Sequence, residues 1–143
     1  MITASHNPPE DNGFKTVEPK GEMLPQSWEK YVTSIANSVK KGKFEEFITN
    51  FLTVATEALN DTKLEDKDLK IIIGRDTRES STRLSLFCTN FFNNITKLNK
   101  DKIKLLDYGV VTTPQLHFIV RKHTVAQQTN KFDIVREYFE EFF

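Results

Sequence analysis

Leu69-Lys70-Ile71-Ile72-Ile73-Gly74-Arg75-Asp76-Thr77-Arg78 is the segment on which the fold turns. A β-branched run closed by glycine reads as a short strand buried on both faces, as in a parallel sheet. The charged residues Arg75 to Arg78 then fall at the strand's C-terminal end, where open α/β sheets gather their ligands. Ser80 or Ser81 is the expected cap of a long helix reaching about Leu98, with Leu84, Phe87, Cys88, Phe91, Phe92, Ile95 and Leu98 as its apolar stripe. Ile103 to Leu106 reads as the next strand, closed by Asp107-Tyr108-Gly109. Pro114 suits the first turn of a helix carrying Leu116, Ile119 and Val120. Strand, loop, helix, twice over, is the grammar of βαβ units. The expected fold is α/β: a three-layer α/β/α domain with a mixed, mainly parallel sheet, Asp107 and Thr112 joining Arg75, Asp76 and Arg78 at the strand ends.

Upstream, two amphipathic helices are predicted. One runs from about Gln26 to Lys41 on the stripe Trp28, Tyr31, Val32, Ile35, Ala36 and Val39, and ends at Gly42; the other runs from about Phe44 to Leu59. Asn60 to Asp68 reads as a charged loop and Phe14 to Val17 as a short strand. Downstream, 125–130 reads as polar linker, and Phe132, Val135, Phe139 and Phe142 form one side of a last helix. The 12 phenylalanines recur mostly at helical spacing, which predicts packing.

The N-terminus is unlike the rest. In Thr3-Ala4-Ser5-His6-Asn7-Pro8-Pro9-Glu10-Asp11-Asn12-Gly13-Phe14-Lys15, one hydroxyl stands between an imidazole and a carboxamide. Two prolines stiffen the backbone, Asn-Gly turns it, and a lysine follows. A rigid loop of this kind can hold a phosphoryl group among cations. A Ser-His-Asp triad has no nucleophile elbow and no third member to support it. Taken alone, Ser-His-Asn-Pro reads as an ordinary surface turn.

Composition narrows the classes. The 143 residues suffice for one domain, and 20 basic residues balance 20 acidic ones, which removes the electrostatic argument for nucleic acid. No apolar run is long enough to span a bilayer, and no secretory signal pattern opens the chain. The single cysteine, Cys88, forms no internal disulfide, and a cytoplasmic location fits. His6, His117 and His123 share no metal-ligand spacing with one another or with Cys88. Asp61, Asp66 and Asp68 lack the spacing of a calcium loop. Cys88 reads as core, His117 as a structural or surface histidine, and Lys97, Lys100, Lys102 and Lys104 as solvent face.

Thr-Ala-Ser-His-Asn-Pro followed by Asn-Gly-x-Lys resembles the phosphoserine loop of the α-D-phosphohexomutase superfamily. Gly74-Arg75-Asp76-Thr77-Arg78 resembles its second motif. Here the serine loop comes first. That order is similar to the branch acting on N-acetylglucosamine phosphates, as are Gly21-Glu22-Met23-Leu24 with Ser27-Trp28-Glu29, and Asp107-Tyr108-Gly109 with Thr112 to His117. The likeness runs from Met1 to about His117.

The resemblance implies that Ser5 carries a phosphoryl group and exchanges it with a sugar phosphate through a bisphosphate, which also serves as primer. It implies that the phosphate on Ser5 gives one ligand to Mg²⁺. His6 and Lys15 line the reacting phosphate, Lys15 transferring a proton or stabilising charge. Asn7, Arg75 and Arg78 support the loop, and Asp76 pairs with an arginine. The superfamily's metal-binding Asp-Gly-Asp-x-Asp-Arg string and its sugar and phosphate loops do not occur in this sequence. The chain is therefore expected to be a first-domain piece (1–123), lacking the segment before the serine loop, so that sheet-edge groups and apolar surface are exposed. Residues 124–143 are expected to lead toward a second domain. Alone, the chain is expected to have no useful mutase activity and to need the remaining domains. Another hexose-phosphate mutase, or a non-catalytic remnant that binds a phosphosugar or a protein, stays open as an alternative.

Overall fold

A computed structural model describes residues 1–40, 44–61, 69–98, 103–127 and 130–142. The chain forms two compact units, one made of Met1–Leu24 and Asp68–Phe143, the other of Pro25–Lys67. The expected charged loop falls mostly at 62–68, which lies outside the described residues, as do Gly42, Lys100 and Lys102.

The first unit carries strands β1 (Ile2–Thr3), β2 (Gly13–Phe14), β3 (Leu69–Arg75) and β4 (Ile103–Val110) in the order β2-β1-β3-β4. β1 pairs antiparallel with β2 and parallel with β3, and β3 pairs parallel with β4. The sheet is thus mixed and mainly parallel. The helix following β3 (Glu79–Leu98) faces one side; the helix following β4 (Thr113–Thr124) and a last helix (Lys131–Phe142) face the other. Numbered in chain order after α1 (Glu29–Lys40) and α2 (Phe44–Asp61) of the second unit, these are α3, α4 and α5.

Strand alternation distributes β3 between the layers. Ile72 packs with Leu106 and Tyr108 of β4 against Phe118, Ile119 and Ile134 of α4 and α5. Gly74 faces the same way, and a Cβ there would come within 2.5 Å of Val111 Cγ2 and 3.0 Å of Leu116 Cδ1, so the glycine permits close approach of α4. Ile71 and Ile73 face α3. β4 continues past its expected end through Gly109, whose φ of +68° accompanies the register shift between Ile73 and Arg75.

Five expectations need correction. β3 is well buried only at Ile73 and Gly74, while Leu69 and Lys70 are exposed. Neither Ser80 nor Ser81 caps α3, which begins at Glu79; Ser81 Oγ donates to Asp76 Oδ1. α5 packs on α4 through Ile134 and Tyr138, whereas Phe132 is 84% exposed. Residues 131–142 therefore belong to the first unit's core layer. Finally, Phe44 and Phe87, each 71% exposed, stand with Phe132 as phenylalanines that helical spacing wrongly assigned to packing. The predicted strand at Phe14–Val17 shortens to β2 plus a bridge between Val17 and Met23.

In the second unit, α1 and α2 pack together, and Asn50 Nδ2 donates to Ser38 Oγ at 2.8 Å. Ser38 in turn donates to Ser34 O, so the buried hydroxyl is satisfied. Phe44, Phe47 and Phe51 line up along α2 with ring centroids 6.1 and 6.2 Å apart.

Candidate functional site

The serine loop joins β1 to β2. Because Ile2 pairs with Phe14 and Thr3 with Gly13, the ladder sets Lys15 opposite Met1, where Lys15 N donates to Met1 O at 2.7 Å. That register returns Lys15 to the serine across the loop, and Lys15 Nζ donates to Ser5 Oγ at 2.6 Å. An ammonium so placed favours negative charge on the hydroxyl oxygen or on a group attached to it. Ser5 has φ +54°, a left-handed conformation costing a non-glycine residue roughly 1–2 kcal/mol.

The loop is held in that shape from both sides. Ser5 N donates to Thr3 Oγ1 at 2.8 Å, and Asn7 N to Ala4 O at 2.9 Å. From the end of β3, the Arg78 guanidinium donates to Ser5 O at 3.1 Å and to Asn7 O at 3.2 Å. Arg78 is aimed by Asp76, with which it forms an ion pair. Asp76 also accepts from Thr3 Oγ1 at 2.9 Å, from Ser81 Oγ, and from Arg78 N at 3.1 Å. Burial pushes the Asp76 carboxyl up, but the hydrogen bonds from Ser81, the Arg78 N–H, Thr3 and the Arg78 guanidinium outweigh it and hold the pKa at about 2. Asp76 is thus an ionised hub joining β1, the loop and α3.

An open cleft of about 750 Å³ lies over these groups, lined by Ser5, His6, Lys15, Asp76, Arg78 and the first turn of α4. Lys15 and Arg78 bring positive charge, and the one carboxylate lining it is already paired with Arg78. α4 opens with a reciprocal cap: Gln115 N donates to Thr112 Oγ1 and Thr112 N to Gln115 Oε1. Its positive end borders the cleft, so an anion is favoured there twice over.

Each residue singled out from the sequence has a definite place. Ser5, His6 and Lys15 line the cleft together; His6 is exposed. Asn7 contributes its main chain to the loop, and Asp76 pairs with Arg78. Arg75 differs from expectation: its guanidinium donates to Asp76 O at 3.3 Å, and its link to the loop's base is the β1 pairing with Ile2. Asp107 sits at the β4 bulge, accepting from Gly109 N at 2.8 Å. His117 is structural, Nδ1 donating to Gly21 O at 2.7 Å.

Sequence reasoning missed Thr3 and Asn12. Asn12 Nδ2 donates to Ser80 and Ser81 Oγ, both at 2.8 Å, tying the far end of the loop to α3. The signal was present in a polar residue at each end of the loop and two serines one turn past Asp76, but nothing local paired them. Among the described residues no three His, Cys, Asp or Glu side chains cluster as a metal cage.

Comparison with known proteins bears on the same residues. The chain is 43% identical over 124 residues to phosphoacetylglucosamine mutase of Candida albicans, covering 85% of this chain and 22% of that protein. It is 42% identical over 120 residues to the human protein of that name, covering 84% and 20%. The apo crystal structure of an N-acetylglucosamine-phosphate mutase, described as a member of the α-D-phosphohexomutase superfamily, superposes with TM-score 0.68 at 36% identity, over 88% of this chain and 25% of that one. The chain thus spans about a quarter of the length of the relatives it matches. Residues 1–43 and 38–128 match the family model described as phosphoglucomutase/phosphomannomutase, alpha/beta/alpha domain I. With the mixed sheet, the layers and the relatives in agreement, the chain belongs to the phosphoglucomutase/phosphomannomutase family.

Proposed function

We propose that this chain is the phosphoryl-carrying domain of a cytoplasmic mutase that interconverts N-acetylglucosamine 6-phosphate and N-acetylglucosamine 1-phosphate, for UDP-N-acetylglucosamine synthesis. The observation that carries the reading is the 2.6 Å contact of Lys15 Nζ with Ser5 Oγ at the mouth of a cationic cleft. The names of the relatives and of solved complexes with substrate and product support the choice of sugar.

In priming, Ser5 Oγ attacks a phosphorus of the sugar bisphosphate. The bond from that phosphorus to the sugar oxygen breaks, and the serine proton ends on the departing sugar oxygen. In turnover phospho-Ser5 gives the group to the free hydroxyl of the sugar monophosphate. The bisphosphate so formed turns over and returns its other phosphoryl group. Lys15 stabilises charge on Oγ as the Oγ–P bond forms or breaks, and Arg78 fixes the main chain on which Oγ rides. His6 lines the phosphoryl group.

When bound, Mg²⁺ would neutralise phosphoryl charge. Phospho-Ser5 fits as one ligand. Asp76, the carboxylate lining the cleft among the described residues, has its oxygens committed to Thr3, Ser81 and Arg78 and so does not offer itself as a further ligand.

The test is to incubate the intact protein bearing this chain with labelled N-acetylglucosamine bisphosphate and map the label. Label on Ser5, absent from Ser5→Ala and discharged to N-acetylglucosamine 6-phosphate, is expected. Label on another residue overturns the role of Ser5. Equal discharge to glucose 6-phosphate overturns the proposed sugar.

A further inference from the structure

A closed ring of hydrogen bonds starts and ends on the main chain of Ser5. Ser5 N donates to Thr3 Oγ1 at 2.8 Å, and Thr3 Oγ1 donates to Asp76 Oδ2 at 2.9 Å. The same oxygen, Asp76 Oδ2, takes Nη1 of Arg78, whose Nη2 donates to Ser5 O at 3.1 Å. The ring leaves Ser5 by its N–H and returns by its carbonyl.

Ser5 N–H and Ser5 C=O belong to the two rigid peptide planes on either side of the Ser5 Cα. Their relative setting fixes φ and ψ, and with them the direction of Cβ. Ser5 stands at φ +54°, a conformation that a non-glycine residue keeps only when its surroundings over-determine it. Arg78 grips one plane and Thr3 the other, and one carboxylate oxygen keeps the two grips in step. The bond from Asn7 N to Ala4 O also touches the first plane, but both of its ends move with the loop. Thr3 ties that plane to the sheet.

Thr3 is fitted to this part. It is 5% exposed and β1 pairs it with Gly13, so the sheet sets its position. Its branched Cβ restricts χ1. Its one hydroxyl proton goes to Asp76, so the oxygen meets Ser5 N–H as an acceptor, and a hydroxyl that donates to a carboxylate accepts more strongly. A valine would keep the shape and leave Ser5 N–H without that acceptor.

We propose that Thr3 is a positioning residue for phosphoryl exchange at Ser5: it carries the hold of Asp76 to the Ser5 amide and so aims Oγ along the line of attack. The proposal rests on the reading of Ser5 as the phosphoryl carrier. With its hydroxyl committed on both sides, Thr3 offers the sugar phosphate no bond of its own. Its contribution therefore falls on the rate of transfer and not on affinity for the bisphosphate.

The experiment follows single-turnover transfer of labelled phosphate from N-acetylglucosamine bisphosphate to the intact protein bearing this chain. Thr3→Val should slow transfer about 10–100-fold at saturating bisphosphate, with the half-saturating concentration within about twofold of the parent's. Thr3→Ser should restore the rate to within about threefold of the parent's, because the hydroxyl returns. In the Asp76→Asn background Thr3→Val should cost little more, the ring being already open. An unchanged rate in Thr3→Val, a loss confined to the half-saturating concentration, equal losses in the valine and serine variants, or full additivity with Asp76→Asn overturns the proposal. A second measurement needs no variant: the Ser5 amide of the parent should exchange with solvent at least about tenfold more slowly than an open amide, read by nuclear magnetic resonance. Free exchange there overturns the proposal even if Thr3→Val does not fold. Label on another residue of the parent overturns the reading of Ser5 as carrier and the proposal with it, whereas a labelled Ser5 with an indifferent Thr3→Val overturns the proposal alone.

Discussion

Asp76 shows how much one carboxylate can organise. It satisfies a threonine in β1, a serine in α3 and the arginine that grips the serine loop. Asp76→Asn turns one acceptor into a donor facing other donors, and should cost roughly 1–3 kcal/mol in chemical denaturation. The folded pKa of about 2 lies below the ordinary 3.8, so the stabilisation is complete above pH 4 and drains away as pH falls toward 2. The variant should lose less stability than the parent across that window; equal losses would remove Asp76 as the acid-sensitive link. Lys15→Met tests the charge on Ser5 Oγ: the rate of Ser5 phosphorylation in the intact protein should fall about 10²–10³-fold, as when one preorganised donor is lost, with the fold unchanged by circular dichroism. Little of this was legible beforehand. The chemistry of Ser5 and Lys15 could be read because they share one loop, but Thr3 and Asp76 are 73 residues apart and their pairing exists only through the sheet.

At the level of elements, the β-branched run before Gly74 and the periodic stripe after it were sufficient to recognise β3 and α3. Pro114 likewise announced α4. What hydrophobic spacing does not specify is which neighbour a face will meet. α5 illustrates this: its phenylalanines mark one side, yet Ile134 enters the core. The layer spacing between β3 and α4 rests on Gly74. Gly74→Ala introduces a methyl group 2.5 Å from Val111 Cγ2 and 3.0 Å from Leu116 Cδ1. It should cost about 1–3 kcal/mol by overpacking, read as a lower denaturation midpoint at unchanged slope. His123 adds a milder acid sensitivity. Burial, then the nearby Lys70 charge, lowers its pKa below the ordinary 6.5, so its contribution is present above that value and declines as pH falls below it. His123→Gln should flatten the stability profile as pH falls below the ordinary histidine value.

For the whole molecule, the two units differ in how much they bury. The sheet-bearing unit has a core of Ile2, Ile73, Leu116, Ile119 and Ile134, whereas Ser38 is the fully buried side chain among the described residues of the α1–α2 unit. Amides of α1 and α2 should therefore exchange with solvent sooner than those of β4 and α4, a difference measurable by hydrogen-exchange mass spectrometry. Equal protection would show that the two units open together. The register of β1 carries a consequence of a different kind, for the order of assembly. Closing the longer loop to β1 costs only about 0.6 kcal/mol per doubling of length. The return differs far more, because β3 and β4 gain six pairings as they meet and β1 gains one with β3. β3, α3 and β4 can therefore nucleate early, with β1 arriving late. Ser5 becomes a defined chemical group only at the end of that sequence, so phosphorylation at this position would record completed folding.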